Sequence, residues 1–261
     1  DPQLSLVPLE AGKPKAFPDY SIKSLAWNGD GRWLASGSKD DWVRLWGPDG
    51  RPEHSVKANQ WGVFFSVAWH PDGKRFATTG SSTHIRIWDL DEGPAKSASY
   101  VLGEQHPISL AWSHEGLASG QGEGSVAVWT ANGDAAIVQD DQEGPVRCIA
   151  WSPHSRWLAS AGSDETIHLW SPAGEPSHIL TGHSGCIYGL AWSSRDNMLA
   201  SASQDGTVRA WDISGDPKLA FVTPKSAHVG SVAWSPTGEW LASGHHDGVL
   251  RLRHRDGTPG P

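Results

Sequence analysis

This chain of 261 residues predicts an all-β fold, a radial array of four-stranded antiparallel sheets. Three observations carry that expectation. The dipeptide Ala-Trp recurs with its tryptophan at Trp27, Trp69, Trp112, Trp151, Trp192 and Trp234, at spacings of 42, 43, 39, 41 and 42 residues. A second tryptophan follows 19 residues later at Trp46, Trp88, Trp170 and Trp211, and 17 later at Trp129; in the sixth unit Arg253 takes that place. Between these marks lie short runs rich in Val, Ile and Trp, bounded by Gly, Asn, Asp and Ser, and no apolar period of 3.6 residues persists.

Within a unit the strands follow in turn. Ile22-Lys23-Ser24-Leu25-Ala26-Trp27 alternates and ends on the turn Asn28-Gly29-Asp30-Gly31. Trp33 to Ser38 is the second strand, Lys39-Asp40-Asp41 the second turn, and Val43-Arg44-Leu45-Trp46 the third strand. A fourth short run stands in the linking segments, as in Ser177-His178-Ile179-Leu180 and Leu219-Ala220-Phe221-Val222. The six units run over about 21–52, 62–94, 106–135, 145–176, 185–217 and 228–260, within a single domain spanning 1–261. Alanine precedes every first-strand tryptophan, and Ser24, Ser66, Ser109, Cys148, Gly189 and Ser231 stand two residues before that alanine. With a strand period of two, one face is small and the other carries Leu or Val and Trp, so the bulky face of one sheet can seat on the small face of the next. Most of the 16 tryptophans are therefore expected in the core. Each buried one contributes roughly 2–3 kcal/mol. Two fall outside the grid: Trp42, at a turn position held by Gly in Gly206 and Gly124, and Trp61, in the loop before the second unit.

The strings Ser-Pro-Xaa-Gly, Leu-Ala-Ser-Xaa-Ser-Xaa-Asp and Val-Arg-Xaa-Trp-Asp, with Trp-Asp itself at Trp88-Asp89 and Trp211-Asp212, resemble those of the WD-repeat β-propellers over residues 21 to 254. The resemblance implies a six-bladed ring of four-stranded blades, closed by an N-terminal strand joining the last blade. Gln3 to Glu10 is the expected closing strand, with 1–20 as closing strand and linker, because the final repeat is read as stopping after its third strand. The resemblance also implies a hydrogen-bonded tetrad in the fifth repeat: His183, Ser201, Asp205 and Trp211, with Ser203 as a second candidate for the hydroxyl. Elsewhere the tetrad is degraded, so stability is expected to lean on apolar packing.

Partners of this family dock on the rim where first strands start and second turns project. That implies a rim of Lys23, Lys39, Trp61, Phe65, His106, Ile108, Arg147, Tyr188, Gln204, His228 and His246. Aromatic residues and Arg dominate binding hot spots, which favours Phe65, Tyr188 and Arg147. The competing reading is that Phe65 and Ile108 plug the axial channel.

The remaining chemistry is narrow. A net charge of −8 disfavours nucleic acid and anionic membranes as partners. No run approaches a membrane span, and the start does not resemble a signal peptide. Cys148 and Cys186 are too few for a disulfide framework, which fits a cytoplasmic location. Among 13 histidines no HExxH or paired metal spacing occurs, and GxSxG, GxGxxG and phosphate-loop motifs are absent, so neither enzyme, metal nor cofactor is expected. The acidic stretch Asp140-Asp141-Gln142-Glu143 reads as a solvated loop. The sequence thus favours a non-catalytic scaffold, a monomeric propeller or part of a larger assembly, that binds a protein or peptide. Two alternatives are kept. Asp1, without an initiating methionine, suits a regulatory or sensor domain excised from a larger signalling protein. His228, His246 and Asp247 suit an enzyme working at the channel mouth.

Overall fold

The computed structural model describes residues 5–6, 15–16, 22–40, 42–57, 64–91, 97–101, 106–129, 135–139 and 142–260. All regular structure among them is β. The six repeats supply Ile22–Trp27, Leu34–Ser38, Trp42–Trp46 and Pro52–Lys57; Phe64–Trp69, Arg75–Gly80, His84–Asp89 and Ser97–Val101; Pro107–Trp112, Leu117–Gln121, Val126–Trp129 and Ala135–Gln139; Cys148–Trp151, Leu158–Ala161, Ile167–Trp170 and Pro176–Leu180; Ile187–Trp192, Met198–Ser203, Val208–Asp212 and Lys218–Val222; and Val229–Trp234, Trp240–His245 and Leu250–His254. The chain forms two compact units, residues 1–117 with 131–134, and residues 118–130 with 135–261, so the division falls inside the third repeat.

In the first unit, the sheets of repeats one and two pair their strands in sequence order. The small residues of the first strands act as connectors. Ser24 Oγ accepts the Val67 amide at 3.1 Å, Ser66 Oγ accepts that of Leu110 at 3.2 Å, and Trp69 Nε1 donates to the Ala26 carbonyl at 2.9 Å. Val43, Leu45, Val67, Phe76 and Trp88 are buried in one core. Phe76 lies 5.2 Å from Trp69 and 6.1 Å from Trp88 by ring centroids. The 17-residue spacing of the third repeat has a local cause. Its first hairpin is two residues shorter, closed by the Ser113 amide donating to the Gly116 carbonyl at 3.0 Å, where the first repeat bridges Asn28 to Trp33 at 2.9 Å.

Two tryptophans depart from expectation here. Trp27 is 57% exposed, whereas Trp69 at the same place in the second repeat is buried. Trp42 opens a strand rather than occupying the glycine turn position. Val43 pairs with Gly37 as Val208 pairs with Ala202, which aligns Trp42 with Thr207.

In the second unit, the sheets of repeats four and five are four-stranded. Ala159, Ala161, Ile167 and Leu169 of the fourth repeat share one buried core with Ile187, Leu199 and Trp211 of the fifth. The turn glycine Gly206 is required: its φ is +84°, and a Cβ there would lie 2.2 Å from the Ser226 carbonyl oxygen.

The sixth repeat forms a three-stranded sheet, as expected, and beyond its third strand makes one isolated bridge. Arg253 bridges Pro259, and the Gly260 amide donates to the Leu252 carbonyl at 2.8 Å. This is the register of Trp46 with Pro52 and Trp170 with Pro176, where the fourth strands begin. Within the expected closing strand Gln3 to Glu10, Ser5–Leu6 pairs antiparallel with Lys15–Ala16, and the rest lies outside the described residues.

Candidate functional site

The first strands of four repeats share an irregularity. In repeats one, two, five and six the register slips once at the start of that strand: Ile22 pairs with Ser38 but Ser24 with Gly37, and the same step occurs at Phe64/Ser66, Ile187/Gly189 and Val229/Ser231. The extra residue in each case is Lys23, Phe65, Tyr188 or Gly230. A β-bulge bends the strand and re-aims the bulged side chain, so these positions leave the in-out alternation. Phe65 is 36% and Tyr188 39% exposed, and Lys23 and Arg147 are exposed, whereas Ile108 is half-buried.

A second contact joins each strand start to the turn beside it. The Gln204 amide donates to the Cys186 carbonyl at 2.8 Å, that of His246 to His228 at 2.9 Å, and that of Ser163 to Pro145 at 3.2 Å. The rings of His228 and His246 lie 5.7 Å apart. Burial, then the neighbouring Cys186, raises the Tyr188 phenol above its ordinary pKa. Lys39 projects from the second turn of the first repeat and His106 directly precedes a first strand, both exposed. Trp61 lies outside the described residues.

His228 and His246 gain no third metal ligand from Asp247, whose carboxylate is held by Arg251 at 2.7 Å. Among the described residues no group of three His, Cys, Asp or Glu could hold a metal ion.

Behind the rim, the blades carry a hydrogen-bonded ladder. In the fifth repeat Trp211 Nε1 donates to Ser201 Oγ at 3.0 Å, Ser201 lies 2.8 Å from His183 Nε2, and His183 Nδ1 lies 2.8 Å from Asp205 Oδ2. An indole N–H can only donate and a carboxylate only accept. Protons therefore run from Trp211 to Ser201 and from Ser201 to His183 Nε2, while Nδ1–H points at Asp205. Burial opposes ionisation of Asp205, but bonds from Thr207, His183 and the Thr207 and Ser184 amides outweigh it and bring its pKa to about 2. Burial lowers the pKa of His183, in keeping with its neutral form. Ser203 instead bonds the Gly185 carbonyl at 2.8 Å.

The other repeats are less degraded than the sequence implied. The Ser or Thr to Trp bond recurs as Ser36–Trp46 at 2.7 Å, Thr78–Trp88 at 3.0 Å, Ser119–Trp129 at 2.8 Å and Ser160–Trp170 at 2.8 Å. In the fourth repeat Gln142 stands in for the histidine. Ser160 donates to its Oε1 at 2.6 Å, and its Nε2 donates to Asp164 at 3.2 Å. Gln142 is therefore a buried part of the ladder rather than a solvated loop residue. The signal was present as a spacing, since Gln142 precedes Ser160 by the 18 residues that separate His183 from Ser201.

Repeated antiparallel β-sheets, linked through serines and closed by a buried Ser/Thr–Trp bond, define a β-repeat protein. The chain belongs to the WD-repeat family: the family described as "WD domain, G-beta repeat" matches residues 15–47, 50–89, 137–171, 174–212 and 218–253. WD repeats generally mediate protein interactions as scaffolds. The unmatched stretch 90–136 covers the third repeat with its shortened hairpin. No curated protein matches the chain.

Proposed function

We propose that the protein is a non-catalytic scaffold that binds a protein or peptide through the bulged rim of its first strands, in a reducing compartment such as the cytoplasm. The observation that carries this reading is the coincidence of the β-bulges with Lys23, Phe65 and Tyr188. A bulge gives up regular pairing to aim a side chain outward, and here two of the aimed residues are aromatic. In the second unit Arg147 supplies a cation next to the first strand of the fourth repeat, and Tyr188 an aromatic ring. The test is calorimetric: with a purified partner, F65A, R147A and Y188A are each expected to weaken binding by roughly tenfold or more, as hot-spot truncations do. Unchanged affinity for all three removes the rim assignment.

The six-bladed ring is part of the same proposal. Leu25 and Trp27 are exposed on the first sheet, where Val67 and Trp69 are buried on the second. Leu250 is 66% exposed on the last sheet, where Ile85, Ile167 and Val208 are fully buried. Closure covers both faces. Each of the matches 50–89 and 174–212 opens two residues before a fourth strand. The match 15–47 likewise opens before the first strand of its repeat, which leaves a place for a closing strand there.

A further inference from the structure

The sixth repeat breaks the ladder at both ends. Eighteen residues before Ser243, where the fifth repeat has His183 and the fourth Gln142, stands Lys225, and the third-strand tryptophan is Arg253. The ladder's place is taken by a cavity of about 220 Å³, lined by the cations Lys225, Arg251 and Arg253 and the hydroxyls of Thr223, Ser226 and Ser243, with no carboxylate in the lining. In a chain of net charge −8 this is a local reversal of sign.

The partners on hand compensate only part of that charge. Asp247, outside the lining, pairs with Arg251 at 2.7 Å. The Arg253 guanidinium donates to the Gly257 carbonyl at 3.1 Å, an uncharged acceptor. Lys225 has no hydrogen-bond or ion-pair partner among the described residues.

The hydroxyl side is oriented. His245 joins two of the hydroxyls, its Nδ1 lying 3.0 Å from Ser226 Oγ and 3.3 Å from the Ala227 carbonyl oxygen and its Nε2 2.8 Å from Ser243 Oγ. Thr223 Oγ1 accepts the Val208 amide at 2.9 Å, which leaves its own O–H to donate into the cavity.

We propose that this cavity binds a phosphate monoester dianion, with Arg253 and Lys225 as its charged donors and the Thr223 hydroxyl as a third. A guanidinium can bind two phosphate oxygens at once, while the ammonium acts as a point charge. Pockets for drug-sized ligands span about 300–1,000 Å³, so this cavity suits a phosphoryl group on a short stem rather than a whole nucleotide. That stem belongs to a phosphorylated side chain or to a small phosphate ester.

The test is calorimetric titration at low ionic strength with inorganic phosphate and with a peptide carrying O-phosphoserine. Saturable binding is expected, weakened about tenfold or more by K225Q and by R253Q, since each loses a charge-assisted bond. Lys225 is exposed, so K225Q is expected to fold. R253W restores the tryptophan of the other five repeats and is expected to fold while losing the ligand. Tighter binding of the peptide supports a polypeptide-borne group; tighter binding of inorganic phosphate supports a small ester. Absence of saturable binding by either probe below about 10 mM, or undiminished binding in K225Q and R253W, overturns the proposal.

Discussion

Ser201→Ala tests the ladder at its most connected point. Ser201 is fully buried, accepts the Trp211 indole N–H at 3.0 Å and donates to His183 Nε2 at 2.8 Å. Alanine leaves both partners buried and unpaired, and each such group costs about 1–3 kcal/mol, giving about 2–6 kcal/mol for the pair. The control is Ser36→Ala, where only the Trp46 N–H at 2.7 Å loses its acceptor, at about 1–3 kcal/mol. Urea unfolding followed by tryptophan fluorescence reads the difference. With m of about 1–3 kcal/mol/M, S201A is expected to lower the midpoint of the second unit by about 1–2 M and S36A that of the first unit by less. A loss below about 0.5 kcal/mol for S201A, typical of a surface change, refutes the ladder as a stabilising network. So does a loss no larger than that of S36A.

His183 and His245 are held below their ordinary pKa chiefly by burial. The unfolded chain takes up protons that the folded unit refuses, so stability is present above about pH 6.5 and is lost as the pH falls below it. The Asp205 contribution is lost separately, between its ordinary pKa of 3.8 and about 2. His183→Gln copies Gln142, so it is expected to cost less than about 1.5 kcal/mol and to flatten the drop below pH 6.5 in pH-resolved urea titrations; an unchanged pH profile counts against the assignment. Thiol titration of the native protein is expected to label Cys186 and spare Cys148, whose S–H faces the Ala161 carbonyl at 3.6 Å and whose pKa burial raises well above the usual range; rapid labelling of both overturns that placement. Leu250→Glu tests ring closure. A covered Leu250 predicts a loss of about 2–4 kcal/mol, read as a lower urea midpoint, and a change within about 0.5 kcal/mol contradicts closure.

The repeat grid was legible because tryptophan spacing is set by strand and turn lengths, which are local. Every expected strand order in repeats one, two, four and five stands in the structure. Non-local features were less legible. A β-bulge depends on the partner strand's register, so Lys23, Phe65 and Tyr188 could be placed on first strands but not recognised as bulged. Gln142 was hidden because the ladder tolerates an amide that offers one acceptor and one donor in the places of the two imidazole nitrogens. The bridge at Pro259 was written in the chain, since Pro52, Pro176 and Pro259 each follow the closing third-strand position by six residues. The exposure of Trp27 depends on which sheet lies beside it, and its own alternation carries no information about that.

The rim is most directly tested by hydrogen exchange with a captured partner bound. Amides at Phe64–Trp69, Cys148–Trp151 and Ile187–Trp192 are expected to slow in the complex at their rim ends, next to Phe65, Arg147 and Tyr188, while the outer strands Pro52–Lys57 and Lys218–Val222 exchange as in the free protein. Protection confined to those outer strands, with the rim unchanged, contradicts the account.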